Sequence, residues 1–119
     1  MLANQIAYAV SKAALHHVVR CAGAEYARRG VRINAVAHGY VRTPRLNQRL
    51  SEEAWSAIGK VIPIGRPATP AEIAGSLLFV SADLSAHMTG EVMVVDGGAS
   101  APDPQWPQLC RECPRCRPQ

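Results

Sequence analysis

The sequence predicts an α/β fold built around two parallel strands. The first predicted strand is residues 31–37, a short, largely apolar and β-branched run that ends at His38-Gly39. The second is residues 92–95, a continuous apolar run closed by Asp96-Gly97-Gly98, and this pattern is typical of a strand buried on both faces. Because helical patterns separate the two runs, the order favours a parallel crossover.

The helical segments are bounded by local signals. Residues 8–29 keep one apolar stripe at helical spacing, and Gly30 is the predicted stop. A short helix is expected within residues 40–50. Ser51 is the predicted N-cap of the next helix, since Glu52 and Glu53 follow it in the first turn. Residues 69–72 (TPAE) form a capping box for a helix that continues to about residue 82.

Two polar side chains and one thiol within these elements have structural interpretations. Asn34, inside the first predicted strand, is expected to be a structural hydrogen-bonding residue. Cys21, alone in the first helix, is predicted to be a small buried hydrophobic residue. His38 is interpreted as a solvated loop histidine.

Composition excludes several functional classes. Hydrophobic residues make up 48% of the 119 residues and charged residues 18%, which is typical of a globular chain over residues 1–100. The net charge of +4 is not gathered into a cationic stripe, so no nucleic-acid partner is expected. No run of about 18 apolar residues and no signal-peptide pattern occur, so we expect a soluble cytoplasmic protein without membrane contact.

The segment 101–119 differs from the rest of the chain. It holds five prolines in 19 residues and three cysteines, Cys110, Cys113 and Cys116. A closed structural zinc site needs four ligands, and no further Cys or His follows, so we predict a disordered tail and no metal site. The alternative is a small metal-binding interaction protein organised by these cysteines.

Tyr8 and Lys12 are the candidate catalytic residues. Their four-residue spacing places the phenol and the ammonium on one helix face, about one turn apart. A cation at that distance can hold down the pKa of a phenol and prepare it for proton transfer. The alternative interpretation is an ordinary exposed pair on a helix.

Four motifs, in order between residues 8 and 98, resemble the C-terminal portion of the short-chain dehydrogenase/reductase family. One such motif alone would be weak, but four with the family's order and spacing are specific. They are Tyr8-x-x-x-Lys12, residues 32–36 (RINAV) running into Gly39-x-Val41-x-Thr43, Pro70-x-Glu72-Ile73-Ala74, and Thr89-Gly90 leading to residues 95–98 (VDGG).

The resemblance implies an NAD(P)-dependent oxidoreductase that interconverts a small-molecule carbonyl and an alcohol. Tyr8 would be the general acid/base, and Lys12 would lower its pKa and bind the nicotinamide ribose. Gly39, Val41 and Thr43 match the turn that contacts the nicotinamide, and residues 44–65 match the variable substrate-binding loop. Residues 1–100 would be the C-terminal part of a doubly wound, Rossmann-type parallel sheet.

The same resemblance predicts an incomplete site in this chain. The glycine-rich phosphate-binding turn and the family's catalytic serine do not occur in the sequence, so the N-terminal dinucleotide-binding half is expected to be absent. His38-Gly39 also stands where the family usually has Pro-Gly, and a place for His38 in the wall of the cofactor site is the alternative to a solvated loop histidine. The alternative is a non-catalytic truncated remnant or an oligomerisation fragment, and the helix at residues 8–29 is the expected contact of a homo-oligomer.

Overall fold

The computed structural model describes residues 5–101, and within them the α/β arrangement is confirmed. The tail cysteines lie outside the described residues, so the prediction that they build no metal site stays a prediction. The elements in chain order are α1 (Ile6–Ala27), β1 (Ala35–His38), α2 (Pro44–Asn47), α3 (Glu52–Lys60), α4 (Pro70–Ser81), a 3-10 turn (Asp83–Ser85) and β2 (Val92–Val95).

Strands β1 and β2 pair in parallel, as predicted. Their register aligns Ala35 with Val92 and His38 with Val95. The intervening helices make the connection between them, and α4 packs against β1 while α1 contacts β2. The two strands therefore bring the turns at their carboxyl ends, after His38 and after Val95, to the same edge of the sheet.

The predicted bounds of the first strand were wrong at both ends. Side-chain hydrogen bonds hold the segment before Ala35: Asn34 Nδ2 donates to Met88 O at 2.9 Å, and Asn34 Oδ1 accepts from Glu91 N at 3.1 Å. These bonds confirm Asn34 as a structural residue. His38 belongs to β1 rather than to a loop, because its pairing with Val95 prolongs the strand by one residue.

Helix α1 begins and ends two residues earlier than predicted, and Gly30 lies in the turn that follows it with φ +75°. Its buried residues are Val19 and Gly23. A Cβ on Gly23 would lie 2.5 Å from Gly90 Cα, so the helix crosses the turn before β2 at backbone contact. Cys21 is exposed, and its predicted burial was wrong, because this contact leaves its side of the helix uncovered by the described residues.

The helix starts agree with the predicted caps. Ser51 Oγ accepts from Ala54 N at 3.3 Å and caps α3. The capping box of α4 is complete, since Thr69 Oγ1 accepts from Glu72 N at 3.3 Å and Glu72 Oε2 accepts from Thr69 N at 2.7 Å. Polar side chains thus satisfy backbone donors that a helix start leaves free.

Arg32 connects the segment before β1 to the end of α4 through hydrogen bonds. Its guanidinium donates to Ala82 O at 3.1 Å, to Ser85 O at 2.9 Å and to Met88 O at 3.2 Å, with a further bond to Val80 O at 3.1 Å. A cation at a helix C-terminus also interacts favourably with the helix dipole. One side chain therefore fixes α4 and the following turn against the sheet.

Burial is limited in the described part of the chain. The buried apolar residues are Val19, Trp55, Ile62, Ile73 and Val80. Val94 is 58% exposed, so the prediction that residues 92–95 are buried on both faces was wrong, because the described helices leave its face uncovered. Within residues 5–101, no helix is both long and apolar enough to cross a membrane.

Candidate functional site

Helix α1 presents Tyr8 and Lys12 on one accessible face. Lys12 Nζ lies 5.5 Å from the centroid of the Tyr8 ring, a cation–π distance. The Tyr8 side chain is 61% exposed, and Ser11 Oγ donates to Tyr8 O at 2.7 Å on the helix backbone. The predicted proximity of phenol and ammonium is thus present, and the phenol is free to meet another molecule.

Gly39 is fixed at the end of β1 by close packing against β2. Its N–H donates to Val95 O at 3.1 Å. A Cβ at this position would lie 2.7 Å from Asp96 Cβ and 2.9 Å from Asp96 Cα, a separation that no larger residue tolerates. The glycine is therefore required by the approach of the two strand ends.

Val41 follows in an isolated parallel bridge with Ala68. The bonds of this bridge are made by neighbouring groups: Arg42 N donates to Ala68 O at 2.8 Å, and Ala68 N donates to Tyr40 O at 2.9 Å. The Val41 N–H has no acceptor among residues 5–101. Because hydrogen-bonding groups alternate along extended backbone, this N–H points away from Ala68.

Thr43 is the N-cap of α2. Its Oγ1 accepts from Leu46 N at 3.3 Å, while its own N–H donates to Val41 O at 3.0 Å. The hydroxyl thus has a structural role as an acceptor and keeps its O–H available as a donor.

A cavity of about 490 Å³ lies beside this turn, between α1 and the carboxyl ends of the strands; we call it the α1 cavity. His16, His38, Gly39 and Asp96 are among its lining residues. His38 Nδ1 lies 2.9 Å from Gly39 O and donates to it, because a carbonyl oxygen can only accept. His38 is exposed at the rim of this cavity and lies in β1, and its place in the wall of a cofactor site stays a prediction.

The α1 cavity links the helix to the turn through His16, which the sequence analysis did not single out. His16 follows Lys12 at the same four-residue spacing that separates Tyr8 from Lys12. The sequence therefore already indicated that His16 lies on the same helix face as this pair. Tyr8 and Lys12 do not line this cavity. Tyr8 lies eight positions before His16 on the helix, a rise of about 12 Å, so it lies beyond the cavity along α1, with Lys12 between the two.

Asp96 supports the second strand end. Hydrogen bonds from Ser100 and from the backbone N–H of Gly98 hold the pKa of Asp96 below its usual value, against the opposing effect of burial. The carboxylate accepts from Gly98 N at 2.9 Å and from Ser100 N at 2.8 Å. Asp96-Gly97-Gly98 therefore forms a hydrogen-bonded turn after β2. Among residues 5–101, no group of three or more His, Cys, Asp or Glu side chains is arranged to hold a metal ion.

Comparison with known proteins identifies the fold and the family. A family model described as enoyl-(acyl carrier protein) reductase matches residues 1–100. The oxidoreductase UcpA of Salmonella typhimurium is 37% identical over 107 residues, which cover 84% of this chain and 41% of UcpA. The chain thus spans less than half the length of this relative.

Solved structures of similar proteins support the same family. A short-chain dehydrogenase family protein from Francisella tularensis superposes with a TM-score of 0.74 at 32% identity, covering 85% of this chain and 46% of that protein. An NADPH-bound short-chain oxidoreductase from Pseudomonas aeruginosa gives a TM-score of 0.69 at 34% identity, over 79% of this chain and 38% of that one. The parallel strands, the capped helices and these similarities agree. The chain belongs to the short-chain dehydrogenase/reductase family of oxidoreductases.

Proposed function

We propose that this chain carries the proton-transfer pair and the nicotinamide-contacting turn of an NAD(P)-dependent oxidoreductase that interconverts a carbonyl and an alcohol. The observation that carries the proposal is the position of Lys12 Nζ, 5.5 Å from the ring centroid of an accessible Tyr8. Its membership of a family of oxidoreductases, one of which was solved with NADPH, supports the cofactor class.

Tyr8 would act as general acid/base. In the reducing direction its phenolic O–H donates a proton to the carbonyl oxygen, and in the oxidising direction the phenolate accepts the proton of the alcohol. The ammonium of Lys12, 5.5 Å from the ring centroid, would compensate negative charge on the phenolate. Because Tyr8 is exposed, a substrate oxygen reaches it without rearrangement of α1.

The nicotinamide, when bound, supplies or accepts the hydride at the substrate carbon. Its carboxamide carries both hydrogen-bond donors and an acceptor. The turn offers matching groups, since the Val41 N–H has no acceptor among the described residues and the Thr43 hydroxyl keeps its O–H. The donor set of this chain therefore fits the nicotinamide end of the cofactor.

The test supplies a dinucleotide-binding half from a relative. The part of Salmonella UcpA that precedes its match to this chain is joined to the present sequence, and oxidation of NADH and NADPH is followed over a panel of ketones. We expect saturable turnover, and we expect Lys12→Met to lower it by about 10²-fold or more.

The 119-residue chain assayed by itself is the matched control. It should show no turnover, because its sequence has no glycine-rich turn to bind the pyrophosphate. A well-folded joined protein that binds NADPH but turns over no carbonyl would contradict the proposal. So would full activity of the Lys12→Met variant.

A further inference from the structure

His17 and Cys21 form a pair of metal-ligating side chains on the exposed side of α1. The Nε2 atom of His17 lies 3.4 Å from the Sγ atom of Cys21, across one turn of the helix. Both residues are exposed. The pair is separate from the candidate active site, because Tyr8 and Lys12 lie nearer the start of the helix and the α1 cavity is lined by His16.

The packing of α1 fixes the position of this pair. Both residues lie inside the 22-residue helix Ile6–Ala27, and Val19, two positions from each of them, is buried. Two helical positions correspond to a rotation of about 200°, so the burial of Val19 places His17 and Cys21 on the outer side of the helix. The backbone beneath the pair is therefore held by packing, while the two ligating atoms are accessible.

The separation of the two ligating atoms fits a single metal ion. Zinc binds an imidazole nitrogen at about 2.0–2.1 Å and a thiolate sulfur at about 2.3 Å, in tetrahedral geometry. Two ligands at these distances and at about 109° to each other are about 3.6 Å apart. The observed separation of 3.4 Å is close to this value, so an ion fits between Nε2 and Sγ without a change in the helix.

The ligand types select the class of metal. Thiolate and imidazole suit Zn²⁺ and similar ions, whereas Mg²⁺ and Ca²⁺ prefer oxygen ligands. In the part of the chain that the structure describes, no third His, Cys, Asp or Glu side chain joins this pair to form a larger group. Water would therefore fill the remaining coordination positions, as it does in an open zinc site.

We propose that His17 and Cys21 together bind one Zn²⁺ ion or a transition-metal ion of similar preference, with Nε2 and Sγ as the two protein ligands. The sulfur binds as a thiolate, so the thiol proton passes to solvent when the ion enters. The imidazole binds through the lone pair of Nε2, which requires a neutral ring with its proton on Nδ1. This proposal does not depend on proton transfer at Tyr8.

The test measures metal binding by the full chain carrying Cys110→Ser, Cys113→Ser and Cys116→Ser, which leaves Cys21 as the only cysteine. Cobalt(II) is the probe, in oxygen-free solution with a phosphine reductant, because a cobalt–thiolate bond absorbs in the near ultraviolet. We expect a saturable absorption with a Kd below about 100 µM. Zn²⁺ should displace the cobalt, and about 1 mM Mg²⁺ should not.

Substitutions assign the two ligands. Cys21→Ser should abolish the cobalt–thiolate absorption, and His17→Ala should weaken cobalt binding by about tenfold or more. His16→Ala is the matched control, since it removes the neighbouring imidazole of α1, whose side chain lines the α1 cavity. This control should leave the Kd within about twofold.

NMR provides a second measurement without any change at the pair. On addition of Zn²⁺ the ring resonances of His17 should shift, whereas those of His87, an exposed histidine in a distant turn, should stay in place. The proposal is overturned if no saturable absorption appears up to about 1 mM cobalt. It is also overturned if Cys21→Ser retains the absorption, if His17→Ala and His16→Ala have equal effects, or if the His17 ring does not respond to Zn²⁺.

Discussion

Gly23→Ala tests the close contact between α1 and the turn before β2. Helix propensity alone predicts that this substitution stabilises the chain by about 1 kcal/mol. The structure predicts the opposite sign, since the added Cβ would lie 2.5 Å from Gly90 Cα and 3.1 Å from Thr89 Oγ1. Backbone atoms cannot rotate away from such a clash, so we place its cost at the upper end of the usual overpacking range, about 3 kcal/mol. The net expectation is a loss of about 2 kcal/mol.

Gly75→Ala is the matched control in α4. A Cβ at Gly75 meets nothing within 4 Å, so helix propensity acts alone and the variant should gain about 0.5–1 kcal/mol. The assay is urea unfolding of the full chain followed by circular dichroism, with the free energies of both variants compared with the parent. If Gly23→Ala is as stable as Gly75→Ala, the close crossing of α1 over the turn before β2 is refuted.

Three further predictions concern acid stability, the Arg32 hydrogen bonds at the end of α4, and association. Hydrogen bonds from the side chain of Arg66 and then from Thr69 lower the pKa of Glu72 from its usual 4.5 to about 2. The folded-state pKa lies below the unfolded one, so this carboxylate stabilises the fold above about pH 4.5, and the contribution disappears as the pH falls through about 2. In the Glu72→Gln variant the urea midpoint should therefore change less with pH over that interval than in the parent. Plots of midpoint against pH that run parallel for the two proteins would contradict the argument. Arg32→Met should lower the free energy of unfolding in urea by about 2–4 kcal/mol, because carbonyls at the end of α4 lose their donor. Arg32→Lys should lower it less. Equal stability of the parent and both variants would be evidence against the role of these hydrogen bonds. We also propose that the exposed apolar surface of α1 joins copies of the chain, so light scattering should report an oligomer whose mass falls with Val18→Glu, and a monodisperse parent monomer would exclude it.

Local signals predicted most of the fold. The caps at Ser51 and Thr69 and the stop at Gly30 depend on hydrogen bonds and dihedral angles within a few residues, so the sequence carries them directly. The same is true of the Tyr8 and Lys12 pair, whose proximity follows from the helical repeat. The strand pair needed one further argument, that a crossover connection favours parallel strands.

Contacts between distant parts of the chain were not predictable in this way. The Arg32 guanidinium bonds carbonyls 48 to 56 residues further along, and the Gly23 contact depends on where α1 crosses the turn at Gly90. The place of His16 in the α1 cavity depends on the same crossing. The prediction that Cys21 is buried was wrong because the apolar character of a side chain only favours burial, whereas the surface that covers it must come from another element.

The proton-transfer assignment is tested most directly by comparing two tyrosines of α1 in the protein joined to the UcpA dinucleotide-binding half. Tyr8→Phe removes the hydroxyl beside Lys12, and Tyr26→Phe removes a hydroxyl further along the same helix, outside the candidate site. The account predicts that Tyr8→Phe lowers kcat for carbonyl reduction by about 10²-fold or more and that Tyr26→Phe stays within about twofold of the parent. A Tyr8→Phe variant with the kcat of the parent would contradict the central claim.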